Sequence, residues 1–212
     1  MAYQVLIVED DPMARQLFEM FVAQSPNYEL MQSIDNADLA DVYCMRRCPD
    51  LILMDVRAAM HSNGLDAAER IKKKYPKVKI IIVTSMPEYS YLDRARRIGV
   101  DSFWYKEVTL EPFYQLMDRT MAGEHIFPEH TPVLKLGNAY STEFTGRELD
   151  VLRELTSGDP DALIAERLHM SVATVKTHIQ HMRDKTGFRN RTELAVRARE
   201  CGLVIPDDTE ES

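Results

Sequence analysis

Long apolar runs are missing from this 212-residue chain, and nothing in it approaches the roughly 18–20 consecutive apolar residues of a membrane span. Cysteine is also scarce. Cys44, Cys48 and Cys201 are odd in number and lack zinc-ligand spacing, which argues against a disulfide scaffold and against a metal finger. They read as free thiols, with Cys44 and Cys48 four apart on one helical face and expected in a core. Only 8 glycines and 10 prolines are present, against 45% apolar and 28% charged residues, so collagen-like, low-complexity and disordered classes are excluded for the bulk of the chain. The first ten residues have neither a basic n-region nor a long apolar h-region, and a cytoplasmic protein is expected. No internal repeat is found, and His125, His130, His169, His178 and His181 form no ligand constellation.

The length fits two small domains at roughly 100–200 residues each. Five short β-branched runs, Val5–Val8, Leu30–Ile34, Leu51–Val56, Val78–Val83 and Phe103–Tyr105, read as strands buried on both faces. Between and after them Met13–Ala23, Ala37–Arg46, Leu65–Lys74, Tyr89–Ile98 and Leu110–Met121 show a helical period. The pattern is (βα)₅, an α/β class that predicts a flavodoxin-like, doubly wound parallel sheet over residues 1–122, with its site at the carboxyl ends of the strands. Residues 123–143, with Pro128, Pro132 and Gly137 and no clear period, read as a linker. Residues 144–205 read as all-helical. Thr145 and Glu148 make a capping box, Asp159-Pro160 offers an N-cap and first-turn proline for Ala162–His169, Ser171 caps Val172–Thr186 before Gly187, and a last helix covers Thr192–Cys201. Residues 206–212 form an acidic tail.

Chemistry gathers where strands end. Glu9, Asp10 and Asp11 follow the first strand, Asp55 lies at the end of the third, Thr84 and Ser85 follow the fourth, and Lys106 follows the fifth. Carboxylates converging on one crevice repel unless a hard cation joins them, and an oxygen-rich set suits Mg²⁺. The adjacent lysine and hydroxyl suit phosphoryl oxygens. Asp11, followed by Pro12, is read instead as the N-cap of the first helix. On these residues, 1–122 resembles the receiver domain of two-component response regulators. The resemblance implies that Asp55 takes a phosphoryl group from a sensor histidine kinase. It also implies that Glu9, Asp10, Asp55 and the Arg57 carbonyl hold Mg²⁺, that Thr84 and Lys106 bind the phosphoryl group, and that Phe103 is the switch aromatic. Two departures stand out: Ala58-Ala59 replaces the family's Met-Pro in a loop one residue longer, and Glu107 follows the lysine where many relatives have proline.

The second domain carries a reader. Across Val172–Thr186, Val172, Val175, Ile179 and Met182 share one stripe and are expected in the core, whereas Ala173, Thr177, Gln180 and Asp184 lie opposite. The preceding helix joins through a short turn at His169–Ser171, which is helix-turn-helix spacing. Residues 171–199 hold seven basic against two acidic side chains, although the whole chain is −8. Thr145-x-Arg147-Glu148-x-x-Val151-Leu152, Ile164-Ala165-x-x-Leu168, Ser171-x-x-Thr174-Val175-Lys176-x-His178 and Asn190-Arg191-Thr192-Glu193-Leu194 resemble the LuxR-type DNA-binding domain. With the receiver in front, the chain resembles a NarL/FixJ-type response regulator and not a classical enzyme. Lys176, Thr177 and Gln180 are then expected to read bases of double-stranded DNA, with Thr174, His178 and Arg191 near phosphates. The resemblance further implies a homodimer when active, with RNA polymerase as a further candidate partner. Ala162 and Leu163 depart from the family pattern, and together with Asp184 they keep open a protein-binding regulator without DNA contacts. A small Mg²⁺-dependent phosphohydrolase is the third reading, but it leaves the helical domain unexplained.

Overall fold

The apolar runs of the first half assemble, in the computed structural model, as a five-stranded parallel sheet; the structure describes residues 2–60, 62–106 and 113–204. Its strands are β1 (Tyr3–Val8), β2 (Tyr28–Ile34), β3 (Leu51–Asp55), β4 (Lys79–Thr84) and β5 (Ser102–Tyr105), in the order β2-β1-β3-β4-β5. The connections are α1 (Pro12–Gln24), α2 (Ala40–Arg46), α3 (Gly64–Lys74) and α4 (Tyr89–Ile98), and α5 (Phe113–Met121) follows β5. Alternation along the strands gives the sheet two apolar faces. Val5, Ile7, Leu53, Ile81, Val83 and Trp104 share a cluster with Phe18 and Val22 of α1 and with Phe113, Leu116 and Met117 of α5. Leu6, Ile52, Met54, Ile80, Ile82 and Phe103, on the alternate positions, are equally buried. The strand order reverses between β1 and β3, the strands themselves staying parallel, and that is where an open α/β sheet leaves a crevice at its carboxyl edge.

Local chemistry explains the element limits. The Asp11 side chain accepts hydrogen bonds from the N–H groups of Met13 and Ala14 (both 2.8 Å), with Pro12 opening the helix as expected. The expected helix Ala37–Arg46 is divided: Asn36 caps a 3₁₀ turn over Ala37–Leu39, and α2 itself ends at Arg46. Cys48 therefore lies past the helix and is exposed, and only Cys44 enters the core. The start of the expected helix Leu110–Met121 and the acidic tail 206–212 lie outside the described residues.

The chain divides into two compact units, one of residues 1–85 and 90–130 and the other of residues 86–89 and 131–212. The stretch expected as a plain linker is structured at both ends. On its amino-terminal side Ile126 forms a parallel bridge to Ser102, its carbonyl accepting from the Phe103 N–H at 2.8 Å, while Arg96 of α4 donates to the Pro128 carbonyl at 2.9 Å. On its carboxyl side β6 (Lys135–Leu136) and β7 (Ala139–Tyr140) form a hairpin whose Leu136 and Ala139 enter the helical core of the second unit. Gly137 turns that hairpin at φ 62°, and a Cβ there would stand 2.3 Å from the Thr186 carbonyl oxygen.

The rest of the second unit is α6 (Gly146–Thr156), α7 (Asp161–Arg167), α8 (Val172–Thr186) and α9 (Arg191–Glu200). Its core draws on every helix, through Leu152, Ile164, Val175, Met182, Leu194 and Ala198. Three expectations change. Pro160, not Asp159, occupies the N-cap position of α7, and the Asp159 carboxylate instead accepts from Arg167 at 2.6 Å. Val172 is exposed, because in the first turn of α8 it reaches past the core that Val175, Ile179 and Met182 fill. The last helix starts at Arg191, since the Asn190 side chain accepts from the Glu193 N–H at 2.8 Å and makes Asn190 its N-cap. Ser171 and Gly187 bound α8 as expected, Gly187 in the left-handed conformation at φ 77°.

Candidate functional site

In the first unit, parallel strands bring Glu9, Asp55, Thr84 and Lys106 to one edge. Glu9 is fully buried, and the Lys106 ammonium bridges it to Asp55, with Nζ 2.6 Å from Glu9 Oε2 and 2.9 Å from Asp55 Oδ2. Asp10 is exposed, yet single carboxylate oxygens of Glu9, Asp10 and Asp55 lie within 4.8 Å of one another. Three carboxylates therefore face one lysine. Burial, and then the Asp55 charge, push the Glu9 carboxyl up to about 7 against the opposing pull of Lys106. Burial raises Asp55 as well, with Lys106 again opposing. Lys106 moves up despite its own burial, because Asp55 and Glu9 favour its charged form. A second cation would relieve the remaining repulsion, and the all-oxygen donor set fits a hard divalent ion.

The pocket's walls are built from β3 and the loop after it. Gly64 opens α3 against the end of β3, where a Cβ would stand 1.9 Å from the Asp55 carbonyl oxygen, so only glycine lets the helix approach the strand this closely. Arg57 donates its backbone N–H toward Asp55 Oδ1 at 3.4 Å. The lengthened loop is tied to itself and to the 3₁₀ turn after β2: Ala58 N–H donates to the Ser62 carbonyl (3.1 Å), and Ser62 Oγ accepts from Ala37 N–H (2.9 Å) and donates to the Ala59 carbonyl (2.8 Å). Met60 takes φ 58° at its tip, and His61 lies outside the described residues. Thr84 and Phe103 are both buried, and the Phe103 ring meets Tyr105 edge-on at 4.9 Å. The structure thus brings Glu9, Asp10, Asp55 and Lys106 together. It places Thr84 at the end of β4 and Phe103 inside β5.

In the second unit the turn between α7 and α8 closes through the Met170 N–H, which donates to the Ala165 carbonyl at 2.8 Å, with His169 left-handed at φ 52°. That turn leaves one face of α8 outside. Thr174, Lys176, Thr177 and Gln180 are exposed there and His178 is half-buried. Beside them lies a cleft of about 310 Å³ lined by Lys176, Gln180, Arg183, Arg189, Arg191 and Asp161, among others. Arg191 is held by its own unit, donating to Asp161 Oδ1 and to the Asp159 carbonyl at 2.8 Å. Arg183 and Arg189 line the same cleft but were not singled out from the sequence, where their signal was only the local basic excess.

A crevice chemistry suited to phosphoryl oxygens, in one chain with a helix-turn-helix whose exposed Lys176 borders an arginine-lined cleft, defines a class of regulator that receives a signal in one unit and reads nucleic acid with the other. Residues 5–118 match the family model of the response regulator receiver domain, and residues 142–198 match that of the bacterial regulatory proteins, luxR family. The chain belongs to the two-component response regulators with a LuxR-type helix-turn-helix, DNA-binding regulators of transcription. It is 28% identical over 201 residues to the nitrate/nitrite response regulator protein NarL of Escherichia coli K12, covering 91% of this chain and 93% of that one. Over 210 residues it is 28% identical to the response regulator protein VraR of Staphylococcus aureus Mu3, covering 96% and 100%. The fold is shared with RcsB of Salmonella enterica serovar Typhimurium, solved bound to a promoter in the presence of phosphomimetic BeF3- (TM-score 0.63, 15% identity, covering 93% of this chain and 98% of that one).

Proposed function

We propose that Asp55 accepts a phosphoryl group from a sensor histidine kinase and that this acylphosphate controls the binding of residues 144–205 to operator DNA. The observation that carries the proposal is the three-carboxylate crevice with Lys106 inside it. Glu9, Asp10, Asp55 and the Arg57 carbonyl would hold Mg²⁺. Bound there, the ion supplies positive charge to the oxygens of the phosphoryl group in flight. An Asp55 oxygen attacks phosphorus, the bond from phosphorus to the donor's imidazole nitrogen breaks, and the imidazole leaves with that electron pair and is protonated. Lys106, already paired to Asp55, follows the charge onto the new phosphoryl oxygens, and the Thr84 hydroxyl binds another of them. Withdrawal of Lys106 from Glu9 and inward movement of Thr84 free Phe103 to change rotamer, a two-state element biased by new charge.

On the output side, Lys176, Thr177 and Gln180 enter the major groove while Thr174, His178 and Arg191 lie at phosphates, Arg191 after release from Asp161. Two copies pair through α9 on half-sites about one helical turn apart, in the cytoplasm where the operator is found. Incubation with a small phosphodonor and Mg²⁺ should add one phosphoryl group to the intact chain by mass, and none to Asp55→Asn. Equal labelling of that variant, or labelling without divalent metal, overturns the acceptor assignment. On duplexes selected by the phosphorylated protein, Lys176→Ala should cost about 1–3 kcal/mol, with a smaller loss on scrambled duplex. Affinity should fall with log salt by about 0.9 per neutralised phosphate. Weak, sequence-blind binding unchanged by Lys176→Ala would favour the protein-binding alternative.

A further inference from the structure

Gln180 does not stand free on the outer face of α8. Its Nε2 donates to Asp184 Oδ1 at 2.7 Å, one turn later, and its Oε1 accepts from Arg183 Nη1 at 3.0 Å. Arg183 is itself held, donating through Nη2 to the Arg189 carbonyl in the turn before α9. It is half-buried, and its Nε finds no partner among the described residues, so the guanidinium is fixed by its two Nη groups.

The chemistry of this belt allows only one amide orientation. A guanidinium only donates, so it must face the carboxamide oxygen; an ionised carboxylate only accepts, so it must face the nitrogen. A glutamine amide has two acceptor lone pairs and two N–H donors, and the belt uses one of each. One acceptor and one donor remain, and the belt fixes which end of the amide carries each. That is the fork adenine requires in the major groove, where N6–H donates and N7 accepts. Guanine offers two acceptors, O6 and N7. A free glutamine could turn its NH₂ toward them, whereas the belted amide would set its own lone pair against one of the two.

We propose that Arg183 and Asp184 are positioning residues that hold the Gln180 amide in one orientation and so make α8 select adenine over guanine at one base pair. The inference rests on the reading of α8 as the base-reading helix. It gives Asp184 a role that its charge alone would oppose, since a carboxylate on a DNA-facing helix repels phosphates. Selection of adenine is then partly the exclusion of a competitor.

The test is a titration of the full-length phosphorylated protein on the selected duplex and on single adenine-to-guanine replacements of it. The wild type should prefer adenine at one position by about tenfold. Gln180→Ala should remove that preference. Asp184→Ala should also remove most of it while overall affinity holds or rises, because a negative charge is lost. Asp184→Asn keeps an acceptor oxygen without the charge and should retain the preference. In the Gln180→Ala background, Asp184→Ala should change no base preference.

A uniform gain in affinity for Asp184→Ala and Asp184→Asn alike, with the adenine preference intact in both, would show a merely repulsive charge and overturn the proposal, leaving Gln180 as a reader. If Gln180→Ala keeps the wild-type preference, the reader assignment falls, and the positioning role with it.

Discussion

Asp101→Ala should destabilise the first unit by about 3–5 kcal/mol, the range for breaking a buried ion pair from one side. Asp101 is only 3% exposed. Its Oδ2 accepts from Lys72 Nζ at 2.7 Å and from the Ile80 N–H at 2.9 Å, and its Oδ1 accepts from Lys79 Nζ at 2.9 Å. One carboxylate thus fixes α3 and β4 to the start of β5, and its loss leaves two ammonium groups and a buried N–H short of a partner. Burial alone would raise the Asp101 pKa, but Lys72, Lys79 and the Ile80 N–H together hold it below the ordinary 3.8. Because the folded value is the lower one, the contribution is complete above 3.8 and disappears as the pH falls through the folded pKa. Trp104, the single tryptophan, is buried in this unit, so its fluorescence in a urea titration reports on it alone. The expected result is a lower midpoint for Asp101→Ala, with the acid-dependent fall of the wild type reduced. An unchanged midpoint would show that the triad contributes nothing.

Asp101 illustrates what a sequence conceals. Its charge was visible, but its burial depends on two lysines, 29 and 22 residues away, that come together only in the sheet. By contrast, the strand-end acids were legible because a parallel sheet points all its carboxyl ends one way, so Glu9, Asp10, Asp55 and Lys106 needed only correct strands to converge. Asp11, Ser171 and Gly187 were legible for a different reason, since a cap acts within three or four residues of itself.

The misses follow the same division. Val172 matched the buried stripe by angle, but a wheel carries no information on where the core ends. Asp159 was a good N-cap type, yet Arg167 claims its carboxylate. The hairpin at residues 135–140 has strands of two residues each, too short to show a period, and its one signal was the Gly137-Asn138 pair. Its reason for existing is tertiary: the Asn138 N–H donates to the Thr186 carbonyl at 3.0 Å, at the end of α8. In the outer face of α8, residue types were readable, whereas the Gln180 belt and the hold of Asp161 on Arg191 depend on rotamers and neighbours that no spacing rule supplies.

Glu148→Ala should have the largest effect in the second unit, again about 3–5 kcal/mol, because it removes a buried charge from an ion pair and opens a capping box together. Glu148 is 3% exposed at the third position of α6. Its Oε2 accepts from the Thr145 N–H at 2.7 Å, while Lys185 Nζ lies 2.9 Å from Oε1 and 2.7 Å from Oε2. Lys185 belongs to the last turn of α8 and also donates to the Glu143 carbonyl at 2.9 Å, over the Phe144 ring. The carboxylate therefore starts one helix and anchors the end of the reading helix. Burial works to raise its pKa, but Lys185 and the Thr145 N–H and hydroxyl hold it below the ordinary 4.5, so this stability too is present above that value and lost in acid. Glu148→Gln keeps an acceptor for Thr145 but gives up the ion pair, and should fall between wild type and alanine. In thermal melts followed by far-ultraviolet circular dichroism, both variants should lower the helical transition while the Trp104 fluorescence transition stays at its wild-type temperature. Unphosphorylated or phosphorylated, Glu148→Ala should also bind selected duplex more weakly at temperatures where the second unit begins to open, and equally well below them. A variant whose helical transition is unmoved would show that α6 and α8 are held together by their apolar contacts alone.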